Sequence, residues 1–263
     1  MGGHVRIERD SNDPGVAWLI FDHPERRNAI SVEMWRQIPP RLEELAADDS
    51  VRVVILRGVG DVAFVAGADI SEFSETRTGD AAKDYDADGQ RAFSALEAFP
   101  KPLIAMIHGF CVGGGVAIAL CADFRYVADD AVFAVPAARL GLGYHMSGIE
   151  MLKDLVGPSR AKEIFFTAKR YSAADAHAIG LVNDVFPKAE LEASVRETAG
   201  RIAANAPLTV ASVKKIVFEL SKPAAKRDLE AVAESIRVCF ASDDYKEGVS
   251  AFLEKRSPKF VGR

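Results

Sequence analysis

Two stretches of small residues carry the clearest chemistry in this chain. In the first, Gly113-Gly114-Gly115 opens directly into the apolar run 116–122, VAIALCA. Glycine lets a backbone approach a ligand closely, because no Cβ intervenes. A helix starting here has first N–H groups without internal partners, at the positive end of its dipole. Such groups bind anions and developing oxyanions. A triple glycine also suits a close-packed strand–helix junction, and this segment alone is compatible with both. Phosphate-loop chemistry is excluded, since no Gly-Lys-Ser/Thr follows and the spacing is not GxGxxG. In the second stretch, Ala66-Gly67-Ala68-Asp69-Ile70, small residues again follow the end of a strand. Two such turns can give one N–H apiece to a single oxygen, polarising a carbonyl and stabilising the enolate or tetrahedral oxyanion made from it. Losing one such donor typically costs about 2.7–4 kcal/mol.

The elements that must hold these turns can be read from patterning. Residues 5–9 and 16–21 are apolar or β-branched runs around Ser11-Asn12-Asp13-Pro14-Gly15, which predicts a hairpin. Ser31 is placed as an N-cap for a helix in which Met34, Ile38, Leu42 and Leu45 recur at helical spacing. Pro39-Pro40 predicts a kink or break inside it. Residues 51–57 (VRVVILR) read as a strand buried on both faces, followed by a loop over 59–69. A polar, Asp/Ala-rich segment runs to about Gln90, with a helix over 91–99 stopped by Pro100. Residues 103–107, 124–128 and 131–135 read as strands, and 116–122 as a buried helix. Helical segments follow over 149–156, 161–167 and 173–178, punctuated by Gly157-Pro158 and Gly180. From Leu191 the pattern is helical, broken at Pro207, Pro223 and Pro258. The expected organisation is an α/β core over 1–190 and a helical region over 191–263.

Composition narrows the function classes. The 263 residues carry 33 Lys+Arg and 38 Asp+Glu, a net charge of −5, and are 49% apolar with ordinary glycine and proline contents. That excludes collagen-like or low-complexity chains and argues against non-specific nucleic-acid binding, which needs basic patches. Three scattered cysteines, Cys111, Cys121 and Cys239, are too few for a disulfide framework or a zinc site. Residues 103–122 are long and uncharged enough to mimic a membrane span, but Gly109 and the triple glycine break the run into strand, turn and helix. The first fifteen residues lack the apolar core of a signal peptide, so a soluble, cytoplasmic protein is expected.

Several segments together resemble the enoyl-CoA hydratase/isomerase (crotonase) superfamily: HPERRNAI at 23–30, residues 63–70, 101–123, 133–142 and 155–182, and FLEKR at 252–256. The resemblance implies an α/β crotonase (ClpP-like) spiral of ββα units with a helical C-terminal trimerisation region. It also implies a homotrimer or a dimer of trimers, no membrane or nucleic-acid partner, and an acyl-CoA thioester substrate. Coenzyme A then belongs to the substrate, and no separate cofactor or metal is expected. The thioester oxygen would sit in an oxyanion hole made by the N–H groups of Ala68 and Gly114, with Gly113 beside it. Arg26 and Arg27 match the nucleotide-contacting loop, Ala66, Ala68 and Ile70 the adenine lining with Asp69 beside them, and Phe252 and Lys255 a C-terminal pair that reaches the nucleotide.

The departures from the family pattern bear on the reaction. Hydratases of the family carry one catalytic glutamate two residues after the third glycine and another after the proline of Phe-x-x-Pro-Glu. Here those positions are Ala117 and Ala137. Hydration needs a base to activate water and an acid to protonate the α-carbon, each worth typically 10²–10⁴-fold, so ordinary two-glutamate hydration is not expected. Decarboxylation of a malonyl-type thioester makes the enolate by losing CO₂, without proton abstraction from carbon. LGLGY at 140–144, KEIFFTA at 162–168 and SDDYKEG at 242–248 resemble the methylmalonyl-CoA decarboxylase branch, where a tyrosine at the Tyr144 position faces the active site. That branch has a histidine where this chain has Ala68. The expected function is therefore an acyl-CoA lyase or isomerase, decarboxylase-like. A true hydratase or isomerase using other residues, and a catalytically silent CoA-thioester binder, are the alternatives. Tyr144 is a candidate hydrogen-bond donor to substrate; its alternative is a loop tyrosine packed on the core. His145 is a candidate acid/base, since imidazoles exchange protons near neutrality; a solvated loop histidine is the alternative. Glu150 is a further candidate carboxylate, while His108 and Cys111 read as structural.

Overall fold

The N-terminal hairpin forms as its turn chemistry requires: β1 (His4–Arg9) pairs antiparallel with β2 (Val16–Asp22), Val5 opposite Phe21 and Arg9 opposite Ala17. The computed structural model describes residues 2–76, 78–79 and 81–263. Helix α1 (Val32–Ala47) is capped by Ser31, whose hydroxyl accepts from the Met34 N–H. The break expected at Pro39-Pro40 does not occur. Both prolines lie on the outward side, while Met34, Trp35, Ile38, Leu42 and Leu45 are buried and hold the helix together across the missing N–H groups.

The chain then alternates between two sheets. β3 (Val53–Gly58) is followed by β4 (Ala63–Val65), and the short helix α2 (Phe73–Thr76) precedes α3 (Ala81–Glu97). β5 (Leu103–Ile107) is followed by β6 (Phe110–Val112) and α4 (Gly114–Leu120), then β7 (Phe124–Ala128) by β8 (Val132–Ala134). In each pair the first strand joins a six-stranded sheet, β1-β2-β3-β5-β7-β10, and the second a four-stranded sheet, β4-β6-β8-β9. Within those sheets β3, β5 and β7 run parallel, as do β4, β6 and β8. Three successive turns of chain are thus stacked in register, the spiral of ββα units. The remaining elements are α5 (Ala137–Leu140), α6 (Met146–Thr167), β9 (Tyr171–Ser172), α7 (Ala173–Ala178), β10 (Asp184–Phe186), α8 (Leu191–Ala203), α9 (Pro207–Ser221), α10 (Leu229–Ala241) and α11 (Asp243–Glu254).

The core lies between the sheets and against α1 and α3, with Phe21, Phe64, Leu56 and Leu96 fully buried. A second cluster on the other face of the large sheet takes Leu191, Val195 and Ala199 from α8. The loop expected over 59–69 contains β4, and the run 103–122 contains β6 between its strand and its glycine turn. Both are three-residue strands, too short to show a period. Helix α3 starts ten residues earlier than expected, because Tyr85, Asp88, Gly89, Ala92 and Leu96 form a buried stripe along it. Asp88 anchors it to α1 by accepting from Arg36 Nε at 2.8 Å, and Trp35 packs on Phe93 at 5.1 Å between centroids. Gly157, at φ 76 and ψ 162, breaks α6 where Gly157-Pro158 predicted.

Candidate active site

Because β4, β6 and β8 are parallel neighbours, the turns that leave their carboxyl ends are neighbours too. These turns are Ala66-Gly67-Ala68, Gly113-Gly114 and Pro136-Ala137, and all of them line one cavity of about 250 Å³. Clefts off the carboxyl ends of parallel strands are the usual binding places of α/β sheets.

The backbone at the first turn is aimed from below. Asn28, 1% exposed and at φ 58, takes the His23 N–H on its Oδ1 and donates Nδ2 to the carbonyls of Ala63 (2.8 Å) and Val59 (3.0 Å). That fixes Ile30, whose N–H donates to Gly67 O (2.8 Å) and whose carbonyl accepts from the Asp69 N–H (2.9 Å). In this parallel bridge Ile30 bonds to the neighbours of Ala68, so the Ala68 N–H itself is turned the other way, toward the cavity. At the second turn Gly113 has φ 52 and ψ −112, open to glycine alone, and donates its N–H to Ala134 O at 2.8 Å. Gly114 begins α4, so its N–H has no carbonyl one turn behind it within the helix. A Cβ at Gly114 would stand 3.7 Å from the Ala68 nitrogen. Ala68 and the start of α4 are therefore adjacent on one cavity.

Around this pair the walls are apolar and aromatic. Trp35 Cζ2 would lie 3.6 Å from a Gly114 Cβ, and its Nε1 donates to Tyr85 Oη at 3.3 Å. Ala117 and Ala137, both buried, occupy the lining where the family pattern puts carboxylates. Tyr144 also lines the cavity, its ring edge-on to Phe165 at 4.8 Å; burial pushes its hydroxyl up to about 12, so it stays a donor. His145 stands at the mouth with its side chain 71% exposed and Nε2 3.9 Å from Asp86 Oδ1. Among the described lining residues the charged or titrating acids are Asp86 and Glu97, and there is no Lys or Arg.

A fold this complete is open to comparison. The profile of the family described as Enoyl-CoA hydratase/isomerase matches residues 11–263. The chain belongs to that family. A crotonyl-CoA hydratase from Syntrophomonas wolfei is 37% identical over 248 residues, covering 94% of this chain and 95% of its own. The peroxisomal Delta(3,5)-Delta(2,4)-dienoyl-CoA isomerase of Arabidopsis thaliana is 32% identical, covering 98% and 96%. The crystal structure of an enoyl-CoA hydratase/carnithine racemase from Magnetospirillum magneticum superposes with a TM-score of 0.93 at 34% identity, covering 100% of this chain and 97% of that one. The crotonase fold is thereby confirmed, and with it a family of acyl-CoA enzymes.

Not every residue expected at the site lines this cavity. Ala66, Ala68, Ile70, Gly113, Gly114, Ala117, Ala137, Tyr144 and His145 line the cavity. Asp69 does not: it caps the turn after it, accepting from the Ser71 N–H (3.0 Å) and hydroxyl (2.6 Å). Burial pushes its carboxyl up, but the Ser71 bonds and Arg26 outweigh that and hold it below its ordinary value. Arg26 and Arg27 lie in the turn below the hole rather than on the lining, the Arg27 guanidinium 4.9 Å over the Phe110 ring. Phe252, 83% exposed on the last helix, and Lys255, its left-handed cap, are also off the lining. Glu150 is exposed and outside it as well. Cys111 is buried in the core, where burial pushes its thiol up. His108 is also buried, and desolvation lowers its pKa. Glu97, Trp35 and Asn28 were missed as contributors.

Proposed function

We propose that this member of the family binds the thioester carbonyl of an acyl-CoA between the Ala68 and Gly114 amides and works through the enolate so stabilised. The adjacency of those two amides on an apolar cavity carries the reading. Two donors preorganised in a water-poor site lower the cost of the enolate and add no reorganisation when charge develops. The acyl chain runs from the hole past Ala117 toward α3, while the nucleotide lies over Ala66 and Ile70 at the open side, within reach of Arg26 and Arg27. Phe252 and Lys255 reach it from a neighbouring subunit. The exposed apolar side chains of α9 and α10, Val213, Val217, Ile236 and Phe240 among them, supply the interface of a trimer or a dimer of trimers.

Hydratase or isomerase chemistry on this frame assigns proton transfer to groups other than positions 117 and 137. Tyr144 donates to the bound thioester, and His145, beside Asp86, exchanges the proton. Decarboxylation is the second reading, favoured by Ala117 and Ala137: with no carboxylate at either position, loss of CO₂ makes the enolate without a base. Against it, a substrate carboxylate would meet Asp86 and Glu97 with no cation among the described lining residues. Incubation with crotonyl-CoA, methylmalonyl-CoA and malonyl-CoA, each followed by mass, separates the readings. Addition of water or migration of the double bond supports the first, and loss of CO₂ the second. Tight binding of every thioester without turnover leaves a CoA-thioester binder. A monomer by light scattering refutes the assembly.

A further inference from the structure

The far end of the cavity holds a group that the oxyanion chemistry does not use. Glu97, the last residue of α3, lines the cavity, and its Oε1 is buried with no hydrogen-bond partner among the described residues. Buried polar atoms are nearly always paired, so an orphan calls for an explanation. Its place relative to the hole follows from two neighbours. On α3 it lies one turn beyond Phe93, which packs on Trp35, the ring beside Gly114. From α4, burial and then the nearby Glu97 charge push the Cys121 thiol up, so the carboxyl stands near Cys121. Cys121 follows Ala117 by one turn and Gly114 by two, about 10 Å along the helix. Glu97 therefore faces the acyl chain several carbons beyond the carbonyl, past the α- and β-carbons that chemistry touches. Its distance from the hole makes it a recognition group, and desolvation raises its pKa above the ordinary carboxylate range.

We propose that Glu97 accepts a hydrogen bond from the distal end of the substrate's acyl chain, so that this enzyme takes acyl-CoA thioesters ending in a hydroxyl or amino group in preference to plain alkyl chains. The inference rests on the acyl-CoA reading above. A pocket built to bond an O–H or N–H rejects the analogue that lacks it far more strongly than an apolar pocket rejects an extra methylene, because the protein group is then left unpaired. Aromatic walls from Trp35, Tyr85 and Phe93 suit the methylenes between the two polar ends.

The test compares trans-2-hexenoyl-CoA with its 6-hydroxy and 6-amino counterparts, measuring Kd by calorimetry and turnover by mass. The wild-type protein should bind one of the polar chains at least about tenfold tighter than the hexenoyl chain. Preference for the amino chain identifies a cationic donor, and preference for the hydroxyl a neutral one. Glu97→Leu should abolish or reverse the ratio, and Glu97→Gln should weaken the amino chain more than the hydroxyl chain. Should the leucine variant fail to fold, the glutamine variant decides. Equal or tighter binding of the hexenoyl chain by wild type, with turnover of that chain, overturns the proposal alone. An unchanged ratio in the variants overturns it too. The expected order of binding without turnover of any thioester leaves the proposal standing and refutes the catalytic reading. Failure to bind any CoA thioester overturns both.

Discussion

The two ends of the cavity are made of different material. At the end proposed to hold the thioester oxygen, the polar atoms are backbone amides, placed by strand order and by glycine turns. At the other end they are side chains, Glu97, Tyr85 and Trp35, delivered by two helices joined by the exposed Arg36 guanidinium and the buried Asp88 carboxylate. The backbone end tolerates change in nearly every neighbouring side chain as long as the small sheet keeps its register. Apart from Trp35, which also stands beside Gly114, the other end can be rewritten one residue at a time without touching those turns. On the proposed function, one fold can therefore keep its activation of the thioester carbonyl while its substrate and proton-transfer groups drift, and the alanines at 117 and 137 fit that pattern.

The comparison breaks first if the backbone end is not backbone. Gly114→Pro removes the N–H at the first position of a helix, where proline is best tolerated, so the fold should survive by circular dichroism while kcat falls about 10²–10³-fold. Gly114→Ala keeps the N–H, and its methyl would meet atoms no closer than 3.6 Å; activity within a few-fold of wild type is expected. Equal loss in both variants would mean that shape, not the amide, is what matters. One residue on, the same glycine run has a packing duty. A Cβ at Gly115 would sit 2.2 Å from the carbonyl oxygen of Val65, and backbone cannot step aside as a side-chain tip can. Gly115→Ala should cost about 1–3 kcal/mol, seen as a Tm lower by roughly 3–10 °C.

This difference in material also governs what the sequence discloses. Gly113 and Ala68 announce themselves locally, because only small residues permit the approach and they stand at strand ends; the turns that line the cavity were legible in the sequence. The large-sheet strands were legible too, being long apolar runs. The small sheet was not, since β4, β6 and β8 have three residues each and owe their existence to pairing with one another rather than to any pattern of their own. Glu97 falls inside the helix expected over 91–99, but a single glutamate has no local mark of facing a cavity; that place follows only from the packing of α3 on α1. Asp69 stands beside Ala68, but its carboxylate accepts from the Ser71 N–H and hydroxyl, which the sequence does not announce.

For side chains, beginning beside the thioester, the effects should be smaller and graded. Tyr144→Phe removes a hydroxyl and leaves the ring on Phe165, so a loss of about 10- to 100-fold in kcat/KM with unchanged Tm is expected if the hydroxyl bonds the bound thioester. With that hydroxyl pushed up to about 12, the wild-type rate should show no ionisation of Tyr144 between pH 8 and about 10. A loss of activity across that range that disappears in the phenylalanine variant would place the hydroxyl in a more polar setting than the one seen here.

The smallest effect concerns the stability cost of keeping Glu97 in an apolar wall. Desolvation raises its folded pKa above the unfolded value, so the folded state binds its proton more tightly than the unfolded state does. Its favourable contribution is complete below the unfolded carboxylate pKa and fades as pH rises through the folded one. At neutral pH the charged carboxylate then sits in a worse place than water, and Glu97→Gln, which cannot ionise, should melt higher than wild type by about 1–3 °C once partial exposure is allowed for. Titrated downward, the two melting curves should converge near pH 4, where both side chains are neutral. A glutamine variant that melts lower than wild type at pH 7 would mean that the carboxylate already has a partner, and that the acyl end is fixed by the protein rather than completed by the substrate.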